Sequence, residues 1–259
     1  MKKKINGAIK NYLKEEYLYR GKHELRVKLS ALENINQNYS QVFQDMFVLM
    51  MLDGKKSGAY VEIGSSEPIR INNTYLLEKE FEWVGLSYEI DPTLNNKFNL
   101  NRTNKSLCAD ATKRDFKEDF INHSLPKTID YLQVDIEPVK NSYTCLLNIP
   151  FNDFEFNIIT FETEFYLEGD EYESKVKNFL EKQGYILVCS RIGRLGKYYE
   201  DWYVNEKIYS RYVDKFGKKY FEEDPKNIIY KNFNRKFSTF IYGVFKYILN
   251  PKKDIYGYK

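Results

Sequence analysis

From Ala59 onward the sequence alternates short apolar runs with helical patterns, and that alternation narrows the folds open to the chain more than any other feature. The runs are "AYVEIGS" (59–65), "VGLSYEID" (84–91), "SLCAD" (106–110), "IDYLQVDIE" (129–137), "FNIITFET" (156–163), "YILVCSRI" (185–192) and "YEDWYVN" (199–205). Strands separated by helices have a right-handed way to pair, in a parallel α/β sheet. The seventh run follows the sixth closely enough to form a hairpin with it. Between them "EYESKVKNFLEKQG" places Tyr172, Val176, Phe179 and Leu180 at i, i+4, i+7 and i+8, one face of a helix. Gly184 then stands where a C-terminal cap belongs.

The flanks read differently. The first 58 residues read as a helical N-terminal segment. Its best helix is "SQVFQDMFVLMML", with Ser40 as N-cap and Phe43, Phe47 and Met50 on one apolar face. Residues 59–207 form the sheet domain, and 208–259 are a C-terminal extension rich in Tyr, Phe and Lys. Within it "FSTFIYGVFKYIL" (237–249) is apolar nearly all round, apart from Lys246. It reads as a helix packed on the body or on a second copy of the chain, which makes a homo-oligomer. A helix lying on a membrane surface is the alternative.

Composition excludes some functions. Forty basic residues against 37 acidic ones leave +3, too balanced to argue for nucleic acid. No stretch reaches the roughly 20 apolar residues of a membrane span, and the basic start has no signal-peptide apolar run behind it. The cysteines, Cys108, Cys145 and Cys189, are odd in number and lack metal-ligand spacing, so they read as reduced core residues of a cytoplasmic protein. The 23 tyrosines and 18 phenylalanines exceed what a core needs, so some line a site or an interface.

The turn after the first run, "EIGSSEP", carries the chemistry. A dinucleotide fingerprint needs three glycines so that backbone amides reach a pyrophosphate. Here Gly64 stands alone, followed by Ser65, Ser66 and Glu67, and a carboxylate there repels phosphate. NAD, FAD and ATP are disfavoured. S-adenosylmethionine (SAM), with its sulfonium and ammonium, fits: Glu62 attracts the cationic part and Gly64 permits close approach. The second run ends "YEID", where a ribose is gripped by its hydroxyls; Glu89 is the first choice and Asp91 the second. In "CADAT", Asp110 and the Ala111 backbone suit the adenine. The fourth and fifth runs end "VDIEP" and "TFETEFY", crowding Asp135, Glu137, Glu162 and Glu164 on one rim. Neighbouring strands lie about 4.8 Å apart, and like charges at that range raise a carboxyl pKa or demand a cation. Three answers stay open: a divalent cation such as magnesium on Asp135 and Glu162, a proton held for base catalysis, or neutralisation by substrate hydroxyls. Glu137 and Glu164 read as loop caps.

Taken in order, "SQVFQDMFVL", "YVEIGSSEP", "NNTYLLEKEF", "YEID", "CADAT", "IDYLQVDIEP" and "FETEFY" resemble the FkbM-type SAM-dependent methyltransferases over roughly residues 38–205. The resemblance implies a Rossmann-like seven-stranded methyltransferase sheet and O-methylation, with a sugar or polyketide acceptor. Carried over, Glu62, Gly64 and Ser65 form the cofactor turn, Glu89 the ribose clamp, and Asp110 with Ala111 the adenine contact. Asp135 faces the methyl group and the substrate. The "SQVFQDMFVL" segment closes over the cofactor, with Gln44 at its amino-acid end and Asp45 the weaker candidate. One departure matters: the family's histidine after the fifth-strand glutamate is Thr163 here. His23 and His123 lie in no block of this kind, so Asp135 or Glu162, or a metal, must do the base's work. The activity expected is SAM-dependent O-methylation of a sugar in a nucleotide-sugar or surface-polysaccharide pathway. The alternatives are a non-catalytic cofactor-binding scaffold of the same fold, and a methyltransferase acting on nucleic acid or protein.

Overall fold

The computed structural model describes residues 23–29, 32–35, 37–194, 197–210 and 233–235. Seven strands form one sheet: β3 (Ala59–Ile63), β4 (Val84–Glu89), β5 (Lys105–Cys108), β6 (Thr128–Val134), β7 (Glu155–Glu162), β8 (Tyr185–Arg194) and β9 (Lys197–Asn205). All seven apolar runs are strands, and β8 and β9 pair antiparallel as the expected hairpin. The spatial order is β5-β4-β3-β6-β7-β9-β8, with β9 antiparallel to β7 and the first five strands parallel. A parallel sheet with a reversed strand inserted next to its edge is the Rossmann-like methyltransferase fold.

Helices cover both faces. α1 (Gln44–Met51) and α2 (Tyr75–Phe81) pack on one, in a cluster with Tyr60, Trp83, Tyr131, Ile158 and Trp202. On the other lie α4 (Phe116–Asn122), α5 (Val139–Asn148) and α7 (Asp170–Lys182), packed with Val61, Ile63, Leu86, Leu132 and Phe161. α3 (Pro92–Asn101) leads into β5, and α6 (Phe165–Glu168) is a single turn before α7. A strand covered on both sides has no solvent face, so β3 is buried at every position. α7 buries Val176 and Leu180, with Tyr172 and Phe179 half-buried beside them, which is the face expected from spacing. Gly184 follows it at φ +85°.

The N-terminal reading needs correction. The described residues before Gln44 hold no helix: β1 (His23–Leu29) and β2 (Leu32–Ile35) pair antiparallel, and β10 (Phe233–Arg235) adds to β1. Ser40 does not cap α1. The helix starts at Gln44, after Phe43 in a left-handed conformation. Asp45 instead gathers the chain before the helix, accepting hydrogen bonds from the Tyr39 and Ser40 N–H groups and the Ser40 hydroxyl. α1 is buried on all sides, Gln44 and Asp45 included, so its apolar face was narrower in the sequence than in the fold. Cys145 and Cys189 are core residues as expected, but Cys108 is exposed, because β5 is the sheet edge. The 237–249 segment lies outside the described residues. Among those described, no helix is long and apolar enough to cross a membrane.

The strand order also fixes where a ligand can enter. The chain runs from β3 outward through β4 to β5, then returns to β6 on the other side of β3. The helices following β3 and β6 therefore leave on opposite faces, and a crevice opens at the carboxyl ends of those strands.

Candidate active site

A cleft of about 620 Å³ occupies that crevice. It is lined by Glu62, Gly64, Ser65, Glu89, Asp110, Ala111, Asp135 and Glu162, so these residues singled out in the sequence converge there.

Gly64 sits at the switch itself with φ +88°. A Cβ on it would lie 1.8 Å from the Asp135 carbonyl oxygen, so the glycine is needed for the close passage of two strand ends. The sequence reading assigned its freedom to the ligand; the first neighbour it accommodates is β6. Glu62 is buried, accepting hydrogen bonds from Asn72 Nδ2 (3.1 Å), Thr74 Oγ1 (3.1 Å) and Ser87 Oγ (2.8 Å). Burial pushes its carboxyl up to about 7.

Glu89 ends β4 and holds the turn in place: it accepts from the Ser66 N–H (2.8 Å) and the Asp91 N–H (2.8 Å). Asp91, the second choice for the ribose, is the N-cap of α3 and bonds the Thr93 and Leu94 N–H groups. It does not line the cleft. Asp110 caps the 3-10 turn of residues 111–113 through Thr112, and also pairs with Lys113 at 2.9 Å. The Thr112 bonds lead in holding it down at about 2. An adenine amino group would have to share an oxygen with Lys113, which is largely in solvent.

Gln44 is the exception. Its Oε1 accepts from the Val42 N–H (2.8 Å), and its Nε2 donates to Glu200 Oε2 (2.5 Å). It lies behind the cleft, and Gln41 lines it instead. A helix buried all round leaves its first residues no path to the ligand.

On the acceptor side, Val134 and Phe161 are paired across β6 and β7, so Asp135 and Glu162 emerge side by side. They share a hydrogen bond; burial and the neighbouring Asp135 charge push Glu162 up to about 12. Asp135 is raised by burial and held back by the bond from Glu162. Of the pair, Glu162 is the one that keeps a proton at neutral pH. Glu200 stands opposite Glu162 on β9, raised to about 8 by burial and by Asp135. Glu164 is a cap, accepting from the Val139 N–H at the start of α5 (2.7 Å). Glu137 lines the cleft, so the reading of it as only a loop cap does not hold. Among the described residues, no group of three acid, histidine or cysteine side chains is placed to hold a metal ion. Thr163 is buried and bonds the Tyr199 carbonyl.

Sequence reasoning singled out Ser65 but missed two groups that stand with it. The Ser65 hydroxyl, Asn73 Oδ1 and Gln133 Oε1 are buried, line the cleft and meet no hydrogen-bond partner in the protein. A buried oxygen without a donor costs about 1–3 kcal/mol, so each is a place for a donor from water or from a ligand. A glutamine inside the apolar run "IDYLQV" was the visible signal. Tyr166 and Tyr199 stand edge to face at 6.4 Å at the acceptor end, with Lys197 5.0 Å above the Tyr166 ring.

No family model matches the sequence, and no curated protein matches it, so the FkbM-type likeness has no family-level match behind it. Solved structures that align with the chain include an rRNA methylase from Streptococcus thermophilus, at 7% identity over 62% of this chain and 94% of that one, with a TM-score of 0.43. Magnesium protoporphyrin IX methyltransferase from Synechocystis PCC 6803, solved with bound SAM, aligns at 9% identity over 62% and 77%, with a TM-score of 0.42. Aeropyrum pernix fibrillarin, with natively bound SAM, aligns at 13% identity over 58% and 67%, again at 0.42. The fold assignment stands on the strand order itself.

Proposed function

We propose that the chain is a SAM-dependent O-methyltransferase acting on a sugar hydroxyl, in a nucleotide-linked or polysaccharide precursor. The observation that carries this reading is the set of buried acceptor oxygens, Asn73 Oδ1 and Gln133 Oε1, opening on one cleft with Glu62 and Asp135. Acceptors without donors suit a ligand whose N–H groups and positive charge arrive together. Glu62, Gly64 and Ser65 would hold the amino-acid end, Glu89 the ribose, and Asp110 with Ala111 the adenine.

When bound, SAM would supply an electrophilic methyl group on sulfur. The chain's own task is then to place an oxygen in line and take its proton. Ionised Asp135 is the base: it accepts the hydroxyl proton as the new O–C bond forms, while the Glu162 hydrogen bond keeps it aimed. Tyr166 and Tyr199 offer aromatic faces to a sugar ring. Seven carboxylates and one lysine, Lys197, are among the lining residues. That balance opposes a nucleic-acid acceptor and favours one with few phosphates.

Titration of the purified chain with S-adenosylhomocysteine (SAH) is expected to give micromolar affinity, about −8 kcal/mol, with no competition from NAD or ATP. Comparable NAD binding would remove the cofactor assignment. Glu89→Ala is expected to weaken SAH by about 2–3 kcal/mol, since it loses charge-assisted bonds to both hydroxyls and frees the Ser66 amide. Asp91→Ala should leave affinity unchanged, because Asp91 caps a helix outside the cleft. Thr163 in place of histidine favours one rival, a scaffold that binds SAM without chemistry. Single-turnover reaction with labelled SAM and a panel of glycosides separates the two, because a scaffold never yields SAH.

A further inference from the structure

Arg102 lies outside the cleft, at the C-terminal end of α3, yet its guanidinium is buried and every N–H is used. Nε donates to Glu78 Oε2 (2.8 Å). Nη1 donates to the Pro68 carbonyl (2.9 Å) and Asn72 Oδ1 (3.0 Å), and Nη2 to the Tyr60 hydroxyl (3.0 Å) and Thr74 Oγ1 (3.0 Å). The planar fork thus ties together three points of the loop between β3 and α2.

The direction of these bonds matters. Asn72 Oδ1 accepts from Arg102, from the Thr74 N–H (3.0 Å) and from the Tyr75 N–H (2.8 Å). That leaves Asn72 Nδ2 aimed the other way, at Glu62 Oε1 and the Ser65 carbonyl. Thr74 Oγ1 accepts from Arg102, which leaves its single hydrogen for Glu62 Oε1 or Asn72 Oδ1, each at 3.1 Å; Asn72 Oδ1 already takes three N–H donors, so Glu62 is the better acceptor. Arginine has five donors and no acceptor, so it sets the polarity of the Thr74 relay and reinforces the Asn72 polarity that the Thr74 and Tyr75 amides also impose. We infer that Arg102 is a positioning residue that orients Asn72 and Thr74 so that both donate to Glu62, presenting an ionised carboxylate to the cationic end of the ligand.

The inference rests on the cofactor reading for the ligand's identity, but the link from Arg102 to Glu62 stands on geometry alone. The charged and titratable groups around Glu62 are Arg102 from the end of α3, Glu78 from α2, Tyr60 on the same strand and Tyr131 on β6, with the Ser87 hydroxyl on β4. Arg102 favours the ionised form and Glu78 opposes it. Removing Arg102 therefore raises the pH at which Glu62 ionises.

Arg102→Met alone leaves Glu78 buried without its partner and endangers the fold. The test therefore uses the full chain with Arg102→Met combined with Glu78→Gln, and separately Thr74→Val, which cuts one relay and takes one acceptor from the arginine but leaves its ion pair with Glu78 at 2.7 Å. Circular dichroism confirms folding. Carboxyl carbons of labelled glutamate are titrated by NMR in the free protein, the Glu62 signal being assigned by its loss in Glu62→Gln. Expected is a Glu62 midpoint displaced upward from near 7, further in the double variant than in Thr74→Val. SAH titrated at pH 6.5 and 8.5 should bind at least tenfold more weakly to the double variant at the lower pH, with a smaller gap at the higher. An unmoved Glu62 midpoint, or an equal loss of affinity at both pH values, would overturn the inference and leave Arg102 a structural brace. Failure of the unmodified chain to bind SAH would instead remove the cofactor reading, and the Glu62 midpoint would still decide the role of Arg102.

Discussion

Asp135→Asn is expected to lower turnover by about 10²–10⁴-fold, the usual worth of a positioned base, while SAH affinity stays within about twofold. Asparagine keeps the shape and can still meet Glu162, but it takes no proton. Glu162→Gln is expected to be milder, because its amide can still donate to Asp135. The pH profile carries the sign. Asp135 must be ionised, and its carboxyl is raised by burial, so the rate climbs with pH through a value above the ordinary carboxylate range. The Glu162 proton is held to about 12, so no loss follows on the alkaline side through pH 9. Activity in EDTA should be full, with no gain from magnesium or manganese; loss in EDTA and recovery with either ion would replace the proton with a metal. Normal turnover by both variants would move the active site elsewhere. The same pair should cost the fold stability. Glu162 keeps its proton when folded but loses it when unfolded at neutral pH, so the unfolded state is favoured there. Glu162→Gln is therefore expected to melt above the unmodified chain at pH 7, and the difference should shrink as pH falls toward 4.

The second large effect is expected at Gly64. Alanine there brings a Cβ to 1.8 Å from the Asp135 carbonyl oxygen and 2.8 Å from Ile136 Cγ2, at φ +88°. The nearer neighbour is backbone and cannot rotate away as a side chain could, so the ends of β3 and β6 must part. Backbone strain together with overpacking is worth about 2–4 kcal/mol, and urea midpoints should show it. SAH affinity should fall by at least a hundredfold, since the same displacement moves Glu62, Ser65 and Asp135. Gly169 supplies the control. It also has positive φ (+65°), but a Cβ on it meets nothing within 4 Å. Gly169→Ala should therefore cost only the conformational part, about 1–3 kcal/mol at ψ −144°, and should leave SAH affinity unchanged. Equal losses at the two glycines would mean that crowding at the switch point is not what Gly64 relieves.

The strands, the α7 face and the acids at strand ends were legible because they depend on local patterns. A run of apolar residues buried on both faces, a 3.6-residue stripe and a strand-end carboxylate each announce themselves within ten residues. The helical reading of residues 23–35 failed for the same reason in reverse: a short amphipathic stretch has no local arbiter between helix and strand, and pairing with a distant segment decides it. Gln44 failed because its neighbourhood is made by β9, 156 residues away in sequence.

By itself, then, the sequence determined that five parallel strands would end in carboxylates and that one glycine would serve the first turn. Those are properties of composition and period. Only the tertiary structure decided that β9 lies against β7, which sets Glu200 beside Glu162 and helps drive the protons onto that rim. It also decided that Asp91 caps a helix while Glu89 faces the cleft, and that Arg102 reaches Glu62 through two intermediaries. These outcomes turn on which donors meet which acceptors at about 3 Å, and on how much water is excluded around them. Both are set by packing between segments far apart in the chain.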